Sequence, residues 1–90
     1  MTNTKLLIGS LSNDLYRVAN LLHRGSNQGA DRFFLESKKW CDGLSKVKLK
    51  TYIKSIINDI VGQTKLDHSL NTAEKYLMYS VLLQNYSLHL

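Results

Sequence analysis

Side chains able to do chemistry are few in this 90-residue chain. Cys41 is the only thiol. A nucleophilic cysteine needs a base beside it and a third group to orient that base. Lys38 and Lys39 would favour a thiolate. No histidine is near in sequence, however, and the neighbouring Trp40 points to packing, where a free cysteine behaves as a small hydrophobe. His23, His68 and His89 are scattered, with neither an i, i+4 histidine partner nor zinc-ligand spacing. Asp14 stands three residues before Arg17, which reads as an ordinary surface ion pair. Asp59 stands beside Asn58 on a polar helix side. Gly25 and Gly29 flank a loop, but no strand precedes it and no Lys-Ser follows, so it is no phosphate cradle. An active site needs several convergent polar groups. The expectation is a non-enzyme, with no catalytic residue, no metal and no cofactor.

Charge is the one electrostatic anomaly. Between Arg32 and Lys54 stand seven basic residues (Arg32, Lys38, Lys39, Lys46, Lys48, Lys50 and Lys54) against two acids, Glu36 and Asp42. That segment holds the whole net charge of +5, and the rest of the chain balances. The expected working face is Arg32, Lys38, Lys39, Lys46, Lys50 and Lys54, offered to an anionic partner.

These residues must be held by helices. Ile8, Leu11, Leu15, Val18 and Leu22 recur at spacings of three and four, which predicts a helix over Thr4–His23 capped by Asn3 and stopped at Gly25. Ser26-Asn27-Gln28-Gly29 reads as a loop. A second helix is expected over Ala30–Cys41, ended by Gly43. A third is expected after an N-cap at Ser45, running to Val61, with Leu49, Ile53, Ile56, Ile57 and Ile60 within about 100° of arc. Lys46-Val47-Lys48-Leu49-Lys50 alternates as a strand would, but the longer helical pattern is taken to decide. Lys46, Lys50 and Lys54 then form a ridge along that helix. Asp67 or Ser69 caps a fourth helix that runs close to Leu90. The predicted fold is all-α, a small four-helix up-down bundle occupying residues 1–90 as one domain.

The fourth helix is too apolar for a small monomer. From Tyr76 to Leu90 ten of fifteen residues are apolar or aromatic, and they spread around the wheel. One arc is expected to face a second copy of the chain through Met78, Tyr79, Leu82 and Tyr86. The competing expectation is a central helix enclosed by the other three.

Gly43-Leu44-Ser45, followed by Leu49, Tyr52 and Ile53, resembles the turn of a helix-turn-helix unit. The resemblance implies a nucleic-acid-binding regulator, with Lys46, Lys48 and Lys50 opening a recognition helix near phosphates and base edges. Lys39 departs from that pattern, since a small residue usually stands four before the turn glycine. Arg, Asn and Gln are missing from the first turns of that helix. Histidine phosphotransfer bundles offer a second comparison. Their mid-helix histidine precedes a Lys-Gly pair, whereas His23-Arg24-Gly25 falls at a helix end.

A hydrophobic fraction of 43% argues against disorder. One cysteine excludes an internal disulfide and suits a reducing cytoplasm. No stretch has the length of a secretory h-region or a membrane span, so the Asn85-Tyr86-Ser87 sequon is not expected to be used. The expected protein is a cytoplasmic, homodimeric interaction or regulatory module with an unknown protein partner and no membrane association. The alternative is the nucleic-acid-binding regulator.

Overall fold

Asn3 opens the first helix as its side chain suggests: Asn3 Oδ1 accepts from the Leu6 N–H at 3.1 Å. In the computed structural model, which describes residues 3–90, that helix, α1, spans Thr4–His23, as expected. It ends in a Schellman turn. Gly25 N–H bonds to the Leu22 carbonyl and Ser26 N–H to the Leu21 carbonyl, with Gly25 at φ +77°. Only glycine takes that conformation without strain.

The expected loop at residues 26–29 is not one. The Ser26 carbonyl already accepts from Ala30 N–H, and α2 runs over Asn27–Leu44. Gly29 is there for proximity. A Cβ would stand 3.2 Å from Leu21 Cδ1 and 3.1 Å from Ser26 Oγ. Gly43 likewise lies inside α2, where a Cβ would meet Leu7 Cδ1 at 3.3 Å. Both glycines let α2 lie against α1 at its two ends, and neither breaks the helix.

Ser45 also plays a different part from the one expected. It follows the last turn of α2, and its hydroxyl donates to the Asp42 carbonyl at 2.8 Å. Residues 46–50 are an irregular linker in which the lysines are exposed, Val47 is half-buried and Leu49 is buried. The local alternation described this stretch better than the longer helical pattern did. α3 covers Thr51–Gly62 and buries Ile53, Ile56, Ile57 and Ile60. α4 covers Leu70–Leu88, capped by Ser69, whose Oγ accepts from Thr72 N–H at 3.2 Å. All four elements are helices, with no strand among the described residues.

α1 packs against both α2 and α4, while α3 meets α2 and touches α4 through side chains. Ile8, Leu11, Leu15 and Val18 of α1 are wholly buried. Phe34, Cys41 and Leu44 join from α2, and Tyr76 and Leu83 from α4. The registers are clear in the contacts. Asp14 meets Trp40 and Arg17 meets Phe33 across α1 and α2. Ser12 meets Ser80 across α1 and α4. Gln63, Asp59 and Tyr52 of α3 meet Tyr76, Tyr79 and Tyr86 of α4. α4 is not the enclosed central helix, since Leu70, Met78, Val81 and Leu88 on it are each more than half exposed.

Candidate functional site

The basic residues come first, because they carry the net charge. Arg32 and Lys39 are exposed on α2, seven residues apart and so on one side of it. Lys38 points elsewhere. Its ammonium donates to the Gln63 carbonyl, where α3 ends, and lies 5.0 Å from the centre of the Phe34 ring. Its role is to tie α2 to α3. Lys46 and Lys50 are exposed in the linker, and of the expected ridge only Lys54 stands within α3. A ridge at i, i+4, i+8 needs continuous helix, which begins only at Thr51. The lysines expected to open a recognition helix thus precede the helix. None of Arg32, Lys39, Lys46, Lys50 or Lys54 forms an ion pair among the described residues.

Of the groups that could react, the thiol is held in an inert setting. Cys41 is buried, and burial, with the nearby Asp42 charge, pushes its thiol up to about 12. It is no thiolate at neutral pH. His68 Nε2 lies 2.7 Å from Asp31 Oδ1 at the edge of an open groove lined by Phe34, Leu35 and Leu66. The nearest hydroxyl in sequence, Ser69, is engaged with Asp67 and Thr72 and caps α4. No group of three metal-ligating side chains is gathered among the described residues.

Asp14 needs correction. It is no surface ion pair but a buried carboxylate, 3% exposed, accepting from Trp40 Nε1–H at 2.8 Å and from Arg17 at 3.4 Å. Burial raises its pKa above the ordinary value; the Trp40 N–H pulls it back, and the Glu36 charge raises it further. Its i, i+3 spacing to Arg17 suggested only the local partner. The buried stripe of α1, on which Asp14 adjoins Leu11, Leu15 and Val18, was the signal that it faces inward.

Asp59 binds α3 to α4. It accepts from the Tyr79 hydroxyl at 2.7 Å and pairs with Lys75 at 3.1 Å. Burial would raise its pKa, but Tyr79, Lys75 and Gln63 together hold it below the ordinary value. Tyr79 is accordingly turned toward α3 and its hydroxyl is pushed up to about 12 by burial and by Asp59. Tyr86 packs edge-on against Tyr52 at 6.2 Å between ring centres. Of the four residues expected at a dimer surface, Met78 and Leu82 are exposed, whereas Tyr79 and Tyr86 are half-buried against α3.

The open side of α4 lies elsewhere on the wheel. Leu70, Leu77, Val81 and Leu88 fall within about 40° of arc, and their exposures are 61%, 37%, 52% and 62%. Met78 and Leu82 flank them, and Val81 shares a shallow groove with Tyr16 of α1. This is the largest run of exposed apolar side chains on one helix. A surface of this kind marks contact with another macromolecule more often than chemistry. No helix among the described residues is long and apolar enough to cross a membrane.

Comparison with known proteins finds no match: no family model, no curated protein and no solved structure is similar to this chain.

Proposed function

We propose that the chain is a non-catalytic helical interaction module, a four-helix up-down bundle that self-associates through the outward face of α4. The observation that carries this reading is the apolar line Leu70, Leu77, Val81 and Leu88, exposed from the first turn of α4 to the last. The up-down order is supported by two registers: from Asp14–Trp40 to Arg17–Phe33 the numbers rise on α1 as they fall on α2, and from Tyr52–Tyr86 through Asp59–Tyr79 to Gln63–Tyr76 they rise on α3 as they fall on α4. The cytoplasm is the expected location, since a lone buried thiol needs no oxidising compartment. The exposed linker lysines, with Lys54, offer positive charge to an anionic protein partner away from this face. The nucleic-acid alternative has less to stand on, because the structure gives Lys46, Lys48 and Lys50 no helix to sit on.

Sedimentation equilibrium tests the reading. The wild-type chain is expected to run at twice its 10.3 kDa mass. A Leu77→Ser/Val81→Ser chain is expected to run as a monomer with unchanged helicity. A wild-type monomer at every concentration, or a double variant as dimeric as the parent, refutes it.

A further inference from the structure

The outward line of α4 has an internal symmetry. Its members are Leu70, Glu74, Leu77, Val81, Gln84 and Leu88. They are spaced four, three, four, three and four apart, the alternation of a coiled-coil seam. All six lie within about 80° of arc on one side of the helix. Read from either end the line is chemically the same: apolar, polar, apolar, apolar, polar, apolar. Each pair equidistant from the centre sums to one position, so 70 matches 88, 74 matches 84 and 77 matches 81.

From this symmetry we infer that α4 pairs with α4 of a second copy in antiparallel register, residue by residue along that line. Leu70 then faces the partner's Leu88, Leu77 faces the partner's Val81, and Glu74 faces the partner's Gln84. This rests on the self-association proposed above and adds the direction and register.

Three observations favour this occupant over another. A twofold contact must be self-complementary, and this line is. Antiparallel pairing gives each Glu74 carboxylate a Gln84 amide to accept from, whereas parallel pairing sets Glu74 against Glu74. The chain carries +5, so two copies repel unless they meet away from the lysines; Glu74 is the only charged residue on the line, and none of the seven basic residues of the 32–54 segment lies on it. The face also has apolar surface to bury. Leu70, Val81 and Leu88 on the line, and Met78 beside it, are each more than half exposed, a run of apolar surface that a second copy would bury. Tyr16 stands beside Val81 and extends this face onto α1.

Disulfide trapping reads the register directly. Leu70 and Leu88 are exposed, so a cysteine at either leaves the core intact. Native Cys41 stays silent because it is buried. The two positions lie ~27 Å apart along one helix. Under mild oxidation, a mixture of Leu70→Cys and Leu88→Cys chains, one carrying a mass tag, is expected to give the mixed dimer, while each variant alone gives none. Cross-linking of Leu70→Cys with itself overturns the antiparallel register and leaves self-association standing. A sedimenting dimer without either cross-link moves the contact to another face and overturns the inference. A wild-type chain that stays monomeric overturns both this inference and the proposed function. The Glu74→Lys/Gln84→Glu double variant gives an independent measure. Antiparallel pairing turns both polar layers into Lys–Glu pairs and holds or tightens the dimer; a dimer weakened roughly tenfold places like charges together and refutes the register.

Discussion

The two sides of α4 carry opposite chemistry. The side against α1 reads Ala73, Tyr76, Ser80, Leu83 and Ser87, all buried. The open side reads Leu70, Glu74, Leu77, Val81, Gln84 and Leu88. Both lines recur at helical spacing, yet the buried one holds three residues no larger than serine and the open one holds four large aliphatics. Ser12 Oγ reaches the Ser80 backbone carbonyl at 2.7 Å, a contact possible only where two helices lie close. Ser80 and Ser87 donate to the Leu77 and Gln84 carbonyls of their own helix, so neither hydroxyl is stranded. Among the described residues no buried side-chain nitrogen or oxygen lacks a partner. Fit against α1 has decided which residues go inside. What remains outside is apolar surface, and this is the surface that the proposed second copy would cover.

Substitutions on the two sides should therefore differ sharply. Tyr76 is wholly buried and stacks between Phe34 and Tyr79 at 6.1 and 5.8 Å. Tyr76→Ala is expected to cost about 3–5 kcal/mol, as removal of a buried aromatic does. Ser80→Leu, which forces bulk between α1 and α4, is expected to cost about 1–3 kcal/mol. Leu88→Ser, 62% exposed at the end of the open side, should change monomer stability by no more than about 0.5 kcal/mol while weakening the proposed dimer. Urea denaturation at dilute concentration, where the monomer dominates, measures all three. If Leu88→Ser costs as much as Ser80→Leu, the two sides are not what they are described to be.

Much of this was legible from the residues. α1 was, to the residue at both ends, because its stripe is regular and Asn3 and Gly25 mark its limits. α3's isoleucines were also legible. The buried line of α4 was not, because hydropathy gives serine no weight and attention goes to Met78, Tyr79, Leu82 and Tyr86 instead. Two of those four do face outward; the two tyrosines do not, since Asp59 and Tyr52 on α3 offer them partners that a single-helix wheel cannot show. Glycine misled twice. Gly29 and Gly43 read as punctuation, but each marks where α2 touches a leucine of α1, a long-range fact. The spread of the lysines followed from one misplaced helix start. With Thr51 as the first helical residue, Lys46 and Lys50 lose the shared face they were expected to have with Lys54.

The α1–α2 contact provides a contrast to the small-residue α1–α4 contact, since it buries a charge. Asp14→Ala leaves the Trp40 N–H without its acceptor and should cost about 1–3 kcal/mol. The pH dependence is inverted relative to most carboxylates. Asp14 has a raised pKa in the folded chain, so the native state binds its proton more readily than the unfolded state does. Its stabilising contribution is fully present below 3.8 and is lost as pH rises through the raised value. Trp40 is the only tryptophan, so its fluorescence reports this site alone. The emission is expected to titrate with a midpoint above 3.8, and Asp14→Asn should remove that step. A flat wild-type profile through the mildly acid range would show that Asp14 is solvated after all.

A smaller effect than the loss of Asp14 tests the flank that separates α4's two sides. Tyr79 is held by Asp59, a carboxylate about one-third exposed. A hydrogen bond to a charged group is worth more than a neutral one, but exposure discounts it, so Tyr79→Phe should cost about 1 kcal/mol. Asp59 behaves in the opposite sense to Asp14. Its folded pKa lies below 3.8, so its contribution is present above that value and is lost as pH falls through the lowered one. The Tm gap between wild type and Tyr79→Phe is therefore expected to be widest near neutrality and to shrink in strong acid. Because both chains contain Asp14, its own titration cancels in the difference. A gap that persists unchanged at low pH would mean that the ring edge against α3, rather than the carboxylate, holds Tyr79 inward. The phenol would then be no barrier to enlarging the open face of α4 toward Met78 and Leu82.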